Sequence, residues 1–282
     1  MNKELIKYLT LDKEGVIVEV TNYLQVKPRM THRRTAWYYH LGNIPAVLVA
    51  HIDTVRENDR IKVRQRRNKI YAEKCILGAD DRAGVLMATL LAKELGIDLL
   101  LTDFEETGGI GAWDAAREFE EELREKNIFI EFDRAGFKNY VQYSDTDKDD
   151  KIEKLMQRFG IKKEYGSYSD VATLSDRIGV GHVNLSVAYY HQHSPREYVD
   201  VKQFQELFKA YKKLVPELAK IKTRVYFPAF DPDFDYYSQF HCPYCGEKLS
   251  TSFQLRGRYV YQCDYCGCII DEVLLINEEV VY

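Results

Sequence analysis

The first 241 residues contain a single cysteine, Cys75. A disulfide framework is therefore excluded as the means by which this part of the chain holds its shape. Long apolar runs are missing too: no stretch approaches the roughly 18 consecutive apolar residues that a membrane-spanning helix needs. Neither sign of charge dominates. The 40 Lys and Arg stand against 44 Asp and Glu for a net charge of −4, which gives no reason to expect a nucleic-acid or anionic-membrane partner. The opening MNKELIKYLTLDKEG is too polar and charged for a secretory signal, so a cytoplasmic location is the expectation. Internal repeats and low-complexity segments are also lacking.

What is present is an ordinary globular composition, 45% hydrophobic and 30% charged over 282 residues, enough for one large domain and a small appendage. The first two-thirds alternates β-like runs with helical patterns. Segments 15–20, 36–41, 46–52, 97–105, 128–133 and 181–190 read as strands, rich in β-branched, aromatic or continuous apolar residues. Segments 61–65 and 69–73 read as a hairpin. Segments 82–96, 111–127, 150–159 and 201–221 read as helices, the first closed by Gly96 and the last carrying an internal proline. Such alternation predicts an α/β fold, a three-layer sandwich around a mixed, mainly parallel sheet. The predicted domains are a catalytic domain over 1–222, a linker over 223–240 and a small module over 241–282.

That module holds five of the six cysteines. Cys242-Pro-Tyr-Cys245-Gly and Cys263-Asp-Tyr-Cys266-Gly form two knuckles 17 residues apart, a zinc-ribbon signature in which four thiolates close a structural site. Cys268 is a spare thiol and His241 a less favoured substitute ligand. About 40 residues bury little core, and one structural zinc would offset that. Zinc ribbons often bind nucleic acid, but residues 224–282 carry nine acidic and four basic side chains. An oligomerisation, docking or substrate-gating role fits that charge better than phosphate contacts.

In the first domain, metal-type ligands and carboxylates fall at predicted strand ends, where ligands gather in open α/β sheets. His51 ends one strand, with Asp53 two residues on, the spacing at which a carboxylate reaches the far imidazole nitrogen. Asp80-Asp81 precedes a helix; the pair is explained by capping or by one carboxylate bridging two cations. Glu105-Glu106 ends an apolar strand, and the natural division is one metal ligand and one general base. Asp133 ends another strand. His191 and His193 follow the strand at 181–190, and spacing does not choose between them. Tyr189, Tyr190 and His191 are candidate oxyanion partners, with strand packing the competing role for the tyrosines. Asp170 reads equally as a pocket residue or a cap.

Together, His-Ile-Asp-Thr-Val (51–55), Gly-Ala-Asp-Asp-Arg-Ala-Gly (78–84), Glu-Glu-Thr-Gly-Gly (105–109), the aspartate of Glu-Phe-Asp-Arg (131–134) and His-Ser-Pro-Arg-Glu-Tyr (193–198) resemble the di-zinc exopeptidase clan. That clan includes zinc aminopeptidases, peptidase T-like tripeptidases, glutamate carboxypeptidases and related deacylases. The resemblance covers about residues 1–221. It implies that His51 and Asp133 hold one metal, Glu106 and His193 the other, and Asp80 bridges them. Asp53 would orient His51, Glu105 would be the general base, and the Asp80–Asp81 bond would be cis. Two catalytic divalent metals are implied, zinc first, with cobalt or manganese as alternatives. Only 59 residues separate Asp133 from His193, which leaves no room for the lid domain of many clan members and points to the compact aminopeptidase branch. The implied activity is hydrolysis of peptide bonds from an end of the chain. The alternatives are a deacylase or amidase acting on an N-acyl small molecule, and a catalytically idle scaffold that binds a protein through its ribbon. Homo-oligomerisation is consistent with the clan.

Overall fold

The computed structural model describes residues 2–56, 61–144 and 150–225, and the backbone of 251–255, 258–262 and 269–271. The chain divides into two compact units, 1–226 and 227–282.

The first unit is built on an eight-stranded sheet. In spatial order its strands are β1 (Arg29–Met30), β2 (Ala36–Tyr39), β6 (Asp98–Thr102), β3 (Ala46–His51), β7 (Ile128–Arg134), β10 (Gly181–Ser186), β8 (Asn139–Val141) and β9 (Lys162–Lys163). The central four, β6, β3, β7 and β10, run parallel; β2 pairs antiparallel to β6, and β8 antiparallel to β10. These central strands are apolar nearly throughout because both of their faces are covered. Alternation divides them cleanly. Leu48, Ala50, Leu99, Leu101, Ile130 and Phe132 face a core with α1 (Asn2–Thr10), α2 (Lys13–Leu24), α3 (Ala79–Leu95), α6 (Lys151–Arg158) and α8 (Val201–Leu218). Val47, Val49, Leu100 and Phe129 face a smaller core with α4 (Ile110–Glu118), α5 (Glu120–Arg124) and α7 (Asp170–Ile178). The result is an α/β fold with helices on both faces of a mixed sheet.

A second, antiparallel sheet runs β11 (Tyr189–Tyr190), β12 (Tyr198–Asp200), β5 (Lys69–Ala72) and β4 (Val63–Arg66). It carries the 191–197 loop between β11 and β12.

One expected strand is a helix. Residues 15–20 lie inside α2, despite their β-branched run. Asp12 caps that helix by accepting from the Gly15 N–H at 2.7 Å, and Val16, Val20 and Leu24 recur every fourth residue on the buried face while Val18 is exposed. A cap plus a spacing of four outweighs β propensity. The expected helix at 111–127 is broken at the buried Phe119 into α4 and α5. The expected strand at 181–190 is broken after Ser186, and its last two residues join the second sheet as β11. The apolar strand expected over 97–105 ends at Thr102, so Glu105 and Glu106 sit in the turn that follows it.

In the second unit, β13 (Thr251–Leu255), β14 (Arg258–Gln262) and β15 (Ile269–Asp271) form a three-stranded antiparallel sheet. Cys242, Cys245, Cys263, Cys266, Cys268 and His241 lie outside the described residues. Among the described residues no helix is long and apolar enough to cross a membrane. Cys75 is a free thiol packed at the edge of the larger core.

Candidate metal centre

Five side chains that are far apart in sequence converge at the carboxyl ends of the central parallel strands. His51 is the last residue of β3, and its Nε2 stands 3.2 Å from Asp80 Oδ1 and 3.6 Å from Asp133 Oδ1. The other oxygen of Asp80 stands 3.2 Å from His193 Nε2, which is 3.0 Å from Glu106 Oε1. Asp80 thus offers one oxygen to each histidine. The ligand atoms of His51, Asp80 and Asp133 lie within 4.8 Å of one another, as do those of Asp80, Glu106 and His193. Glu105 belongs to neither group but lines the same cavity of about 530 Å³.

Local structure explains how each ligand is held. Asp53, two residues past His51, places Oδ1 3.3 Å from His51 Nδ1 and accepts the backbone N–H groups of Glu105 and Glu106 at 3.2 and 3.1 Å. One carboxylate therefore fixes both the imidazole and the turn bearing the two glutamates. The Asp80–Asp81 peptide bond is cis. Asp81 turns away from the cavity and accepts the N–H groups of His51 at 3.3 Å and Gly84 at 3.0 Å. Gly84 is required for this packing: a Cβ there would stand 1.7 Å from the Phe132 carbonyl oxygen and 2.2 Å from Asp81 Oδ1. Its absence lets the start of α3 rest directly on β7.

Asp133 is anchored by side chains to which sequence reasoning gave no such role. Tyr189 donates to its Oδ1 at 3.1 Å, Ser169 to its Oδ2 at 3.0 Å, and its backbone N–H donates to Asn184 Oδ1 at 3.0 Å. Glu197 is also buried; it accepts the N–H groups of Gly78 at 2.7 Å and Asp80 at 3.1 Å, so it holds the backbone of Asp80. The one signal for Glu197 in the sequence was its place in the His-Ser-Pro-Arg-Glu-Tyr segment. The cluster contains His193. His191 lines the same cavity but joins neither ligand group, with its ring 5.8 Å from that of Tyr198. Tyr190 donates to Gln203 and stacks on Tyr198. Asp170 starts α7, fully buried, with Oδ2 accepting from Thr102, and is absent from the cavity wall.

The electrostatics of the protein groups alone are those of crowded acid. Burial, reinforced by neighbouring carboxylates, pushes Glu105 up to about 9, and Glu106 and Asp170 up to about 7. Asp133, Asp81 and Glu131 are raised for the same reasons. Burial acts to lower His51, but the carboxylates of Asp133, Asp53 and Asp80 more than reverse this and hold it well above its ordinary value. His193 is raised to about 9, first by its hydrogen bond to Asp80. Asp80, flanked by both histidines, is held low despite its burial. Glu131 Oε1 and Asp170 Oδ1 are buried with no hydrogen-bond partner. Packing this much carboxylate into one place is unfavourable unless positive charge is supplied, and a divalent cation is the strongest local source of it. The donor set of two imidazoles and three carboxylates, offered as two triads sharing Asp80, fits a pair of such ions.

The chain shares its fold with solved peptidases. The aminopeptidase PepT from Bacillus cereus superposes with a TM-score of 0.63 at 14% identity, covering 77% of this chain and 98% of that one. A tripeptidase from Staphylococcus aureus gives 0.59 at 14% identity, with 76% and 96% covered. The TET1 peptidase of Pyrococcus horikoshii, described as assembling into a tetrahedron or a large octahedral shell, gives 0.51 at 14% identity, with 72% and 93% covered. No protein-family model matches the chain, and no match is found among curated proteins.

Proposed function

We propose that this protein is a metal-dependent exopeptidase, an aminopeptidase working through two co-catalytic divalent ions. The observation that carries the reading is the position of Asp80, with one carboxylate oxygen against His51 and the other against His193, while Glu105 lines the same cavity outside both ligand groups. His51 and Asp133 would hold one ion, Glu106 and His193 the other, and Asp80 would bridge them. Zinc suits this donor set, and cobalt or manganese are accepted by similar ones. When bound, the ions would polarise the scissile carbonyl and acidify the attacking water.

The chain's own residues do the rest. Asp53 keeps the His51 ring in the tautomer that presents Nε2 to the site, because Nδ1–H donates a hydrogen bond to its carboxylate. Glu105 accepts a proton from the attacking water and passes it to the leaving amine, so that the product departs neutral. The ionised form of Glu105 would be favoured once the ions were held nearby, against the burial that raises it in the protein alone. Tyr189 and Ser169 hold Asp133 from two sides and limit its movement as charge changes during the reaction. The peptidases that share the fold are an aminopeptidase and a tripeptidase by description, which agrees with this reading. Assembly into a homo-oligomer fits the TET1 neighbour, and one structural zinc bound by Cys242, Cys245, Cys263 and Cys266 remains part of the proposal.

The test is elemental analysis of the purified full chain, followed by a substrate screen with zinc, cobalt or manganese added. Three zinc per chain are expected, the core ion at His51 lost in His51→Ala and the ribbon zinc lost in Cys245→Ala. Peptides with a free amino terminus should be cleaved and N-acetylated ones spared. Cleavage of N-acyl amino acids alone would replace the peptidase with a deacylase. A core that binds no divalent ion under any loading would end the hydrolase reading.

A further inference from the structure

Among the described residues, Arg134 is the sole lysine or arginine lining a cavity whose acidic wall comprises Asp80, Glu105, Glu106, Asp133 and Glu164. It follows Asp133 at the end of β7, and its side chain is 19% exposed. The guanidinium is held from two directions. Nε donates to Asn139 Oδ1 at 2.8 Å, and Nη2 donates to Glu164 Oε2 at 2.6 Å. Asn139 is itself buried, and it reaches this place past Gly136, which has φ +99 and where a Cβ would stand 2.6 Å from Asn139 Nδ2. A glycine turn thus makes room for the amide that aims the arginine. These two bonds use two of the five guanidinium N–H groups, and the others make no hydrogen bond to a described residue. Glu164 is half exposed, so its pairing with Arg134 is weak and exchangeable with a ligand carboxylate.

A fixed, partly free guanidinium is the side chain best matched to a carboxylate. A volume of about 530 Å³ lies within the range of small-ligand sites, about 300–1,000 Å³. We propose that Arg134 binds the carboxyl-terminal α-carboxylate of a short peptide on the leaving-group side, and so makes the enzyme selective for short peptides with a free carboxyl end. The proposal rests on the peptidase reading above and adds a substrate class to it.

The test compares three substrates on the metal-loaded full chain: trialanine as the free acid, its carboxyl-terminal amide, and the amide of Ala-Ala-Asp. Wild-type protein should favour the free acid over the amide by at least about tenfold in kcat/KM, as expected for one charge-assisted contact, with the difference lying in KM. The aspartyl amide should be as poor as the plain amide. In Arg134→Ala the acid-to-amide ratio should fall to about one, and Arg134→Lys should restore part of it. Equal rates for acid and amide in wild type, or an unchanged ratio in Arg134→Ala, would overturn the proposal. An aspartyl amide as good as the free acid would overturn the α-carboxylate assignment in favour of a side-chain carboxylate.

Calorimetric binding of a tripeptide with a reduced first peptide bond, as acid and as amide, gives a readout independent of turnover. Discrimination there through Arg134 without cleavage of any peptide would keep the carboxylate site and reject the peptidase. Cleavage without discrimination would do the reverse.

Discussion

The two ends of the same parallel strands treat buried carboxylates in opposite ways. At the start of β6, Asp98 is fully buried, yet Lys126 lies 2.7 Å away, the Tyr38 hydroxyl donates at 2.5 Å and the Leu41 N–H at 2.8 Å. Burial would raise this carboxyl, but the Lys126 and Tyr38 contacts hold it below its ordinary range. Towards the far ends of β3, β6 and β7, Asp133, Asp81, Glu131 and Glu105 are pushed up, while Asp80 and Asp53, against the histidines, are held low. There the acids outnumber the cationic side chains in contact with them. The lesson is one of division of labour. At the start of β6 the chain supplies the counter-charge itself; at the far end it does not, and the proposed ions would supply it there.

The largest effect that sharpens this contrast is expected for Glu105→Gln. It should lower kcat by about 10²–10⁴-fold while both core ions stay bound, checked by steady-state kinetics beside metal analysis. Loss of the ions together with activity would instead make Glu105 a ligand.

The next experiment sets the two ends against each other in metal-free protein. Lys126→Met removes the partner of a buried carboxylate and should destabilise by about 3 kcal/mol, the low end for breaking such a pair because Tyr38 and Leu41 still donate. Asp133→Asn removes a like charge from the crowded end and should leave the midpoint of urea unfolding unchanged or higher. If Asp133→Asn proved as damaging as Lys126→Met, the acids at the far end would be structural and the contrast would break.

A smaller effect is expected for Asp53→Asn, which loses the carboxylate behind His51. Affinity for the ion held by His51 and Asp133 should drop about 10–100-fold, and the ion held by Glu106 and His193 should be affected less, measured by competition with a chelator.

The last prediction concerns a compensated site of another kind. His182 in β10 is buried, with Nδ1 2.6 Å from Ser175 Oγ and Nε2 accepting the Tyr143 N–H at 2.9 Å, and burial drives it down to about 3. The unfolded chain takes up this proton below about pH 6.5 while the fold refuses it, so stability falls as pH drops from 6.5 towards 3. Between pH 7 and pH 5 the loss from this group is about 2 kcal/mol. His182→Gln should flatten the acid limb of a urea-unfolding series by that amount.

Much of the architecture was legible in the sequence for a simple reason. Buried parallel strands must be apolar on both faces, so 46–52 and 128–133 announced themselves as largely apolar runs with His51 and Asp133 at or next to their ends. The run at 15–20 misled because β-branched residues satisfy a strand pattern locally. Its helix is set by the Asp12 cap and by Val16, Val20 and Leu24 facing the core, which becomes apparent only with the partner surface in place. Three of the five ligand candidates sit at a strand or helix end, while Glu106 lies in the turn after β6 and His193 in the 191–197 loop. That His193 and not His191 joins the ligand cluster followed from a resemblance of motifs, since spacing left both open.

What the sequence alone determined is therefore the inventory: the order of elements, the ligand types and the glycines that bracket them. Tertiary structure alone decided the connections. Asp53 reaches two backbone N–H groups 52 and 53 residues away, Ser169 and Tyr189 meet on Asp133, Glu197 holds the backbone of Asp80, and Asn139 aims Arg134. These contacts follow from strand order and register, which bring distant segments to one edge of the sheet. No local pattern encodes them, because a hydrogen-bond partner contributed from another element is chosen by position in space and leaves no periodicity in the chain.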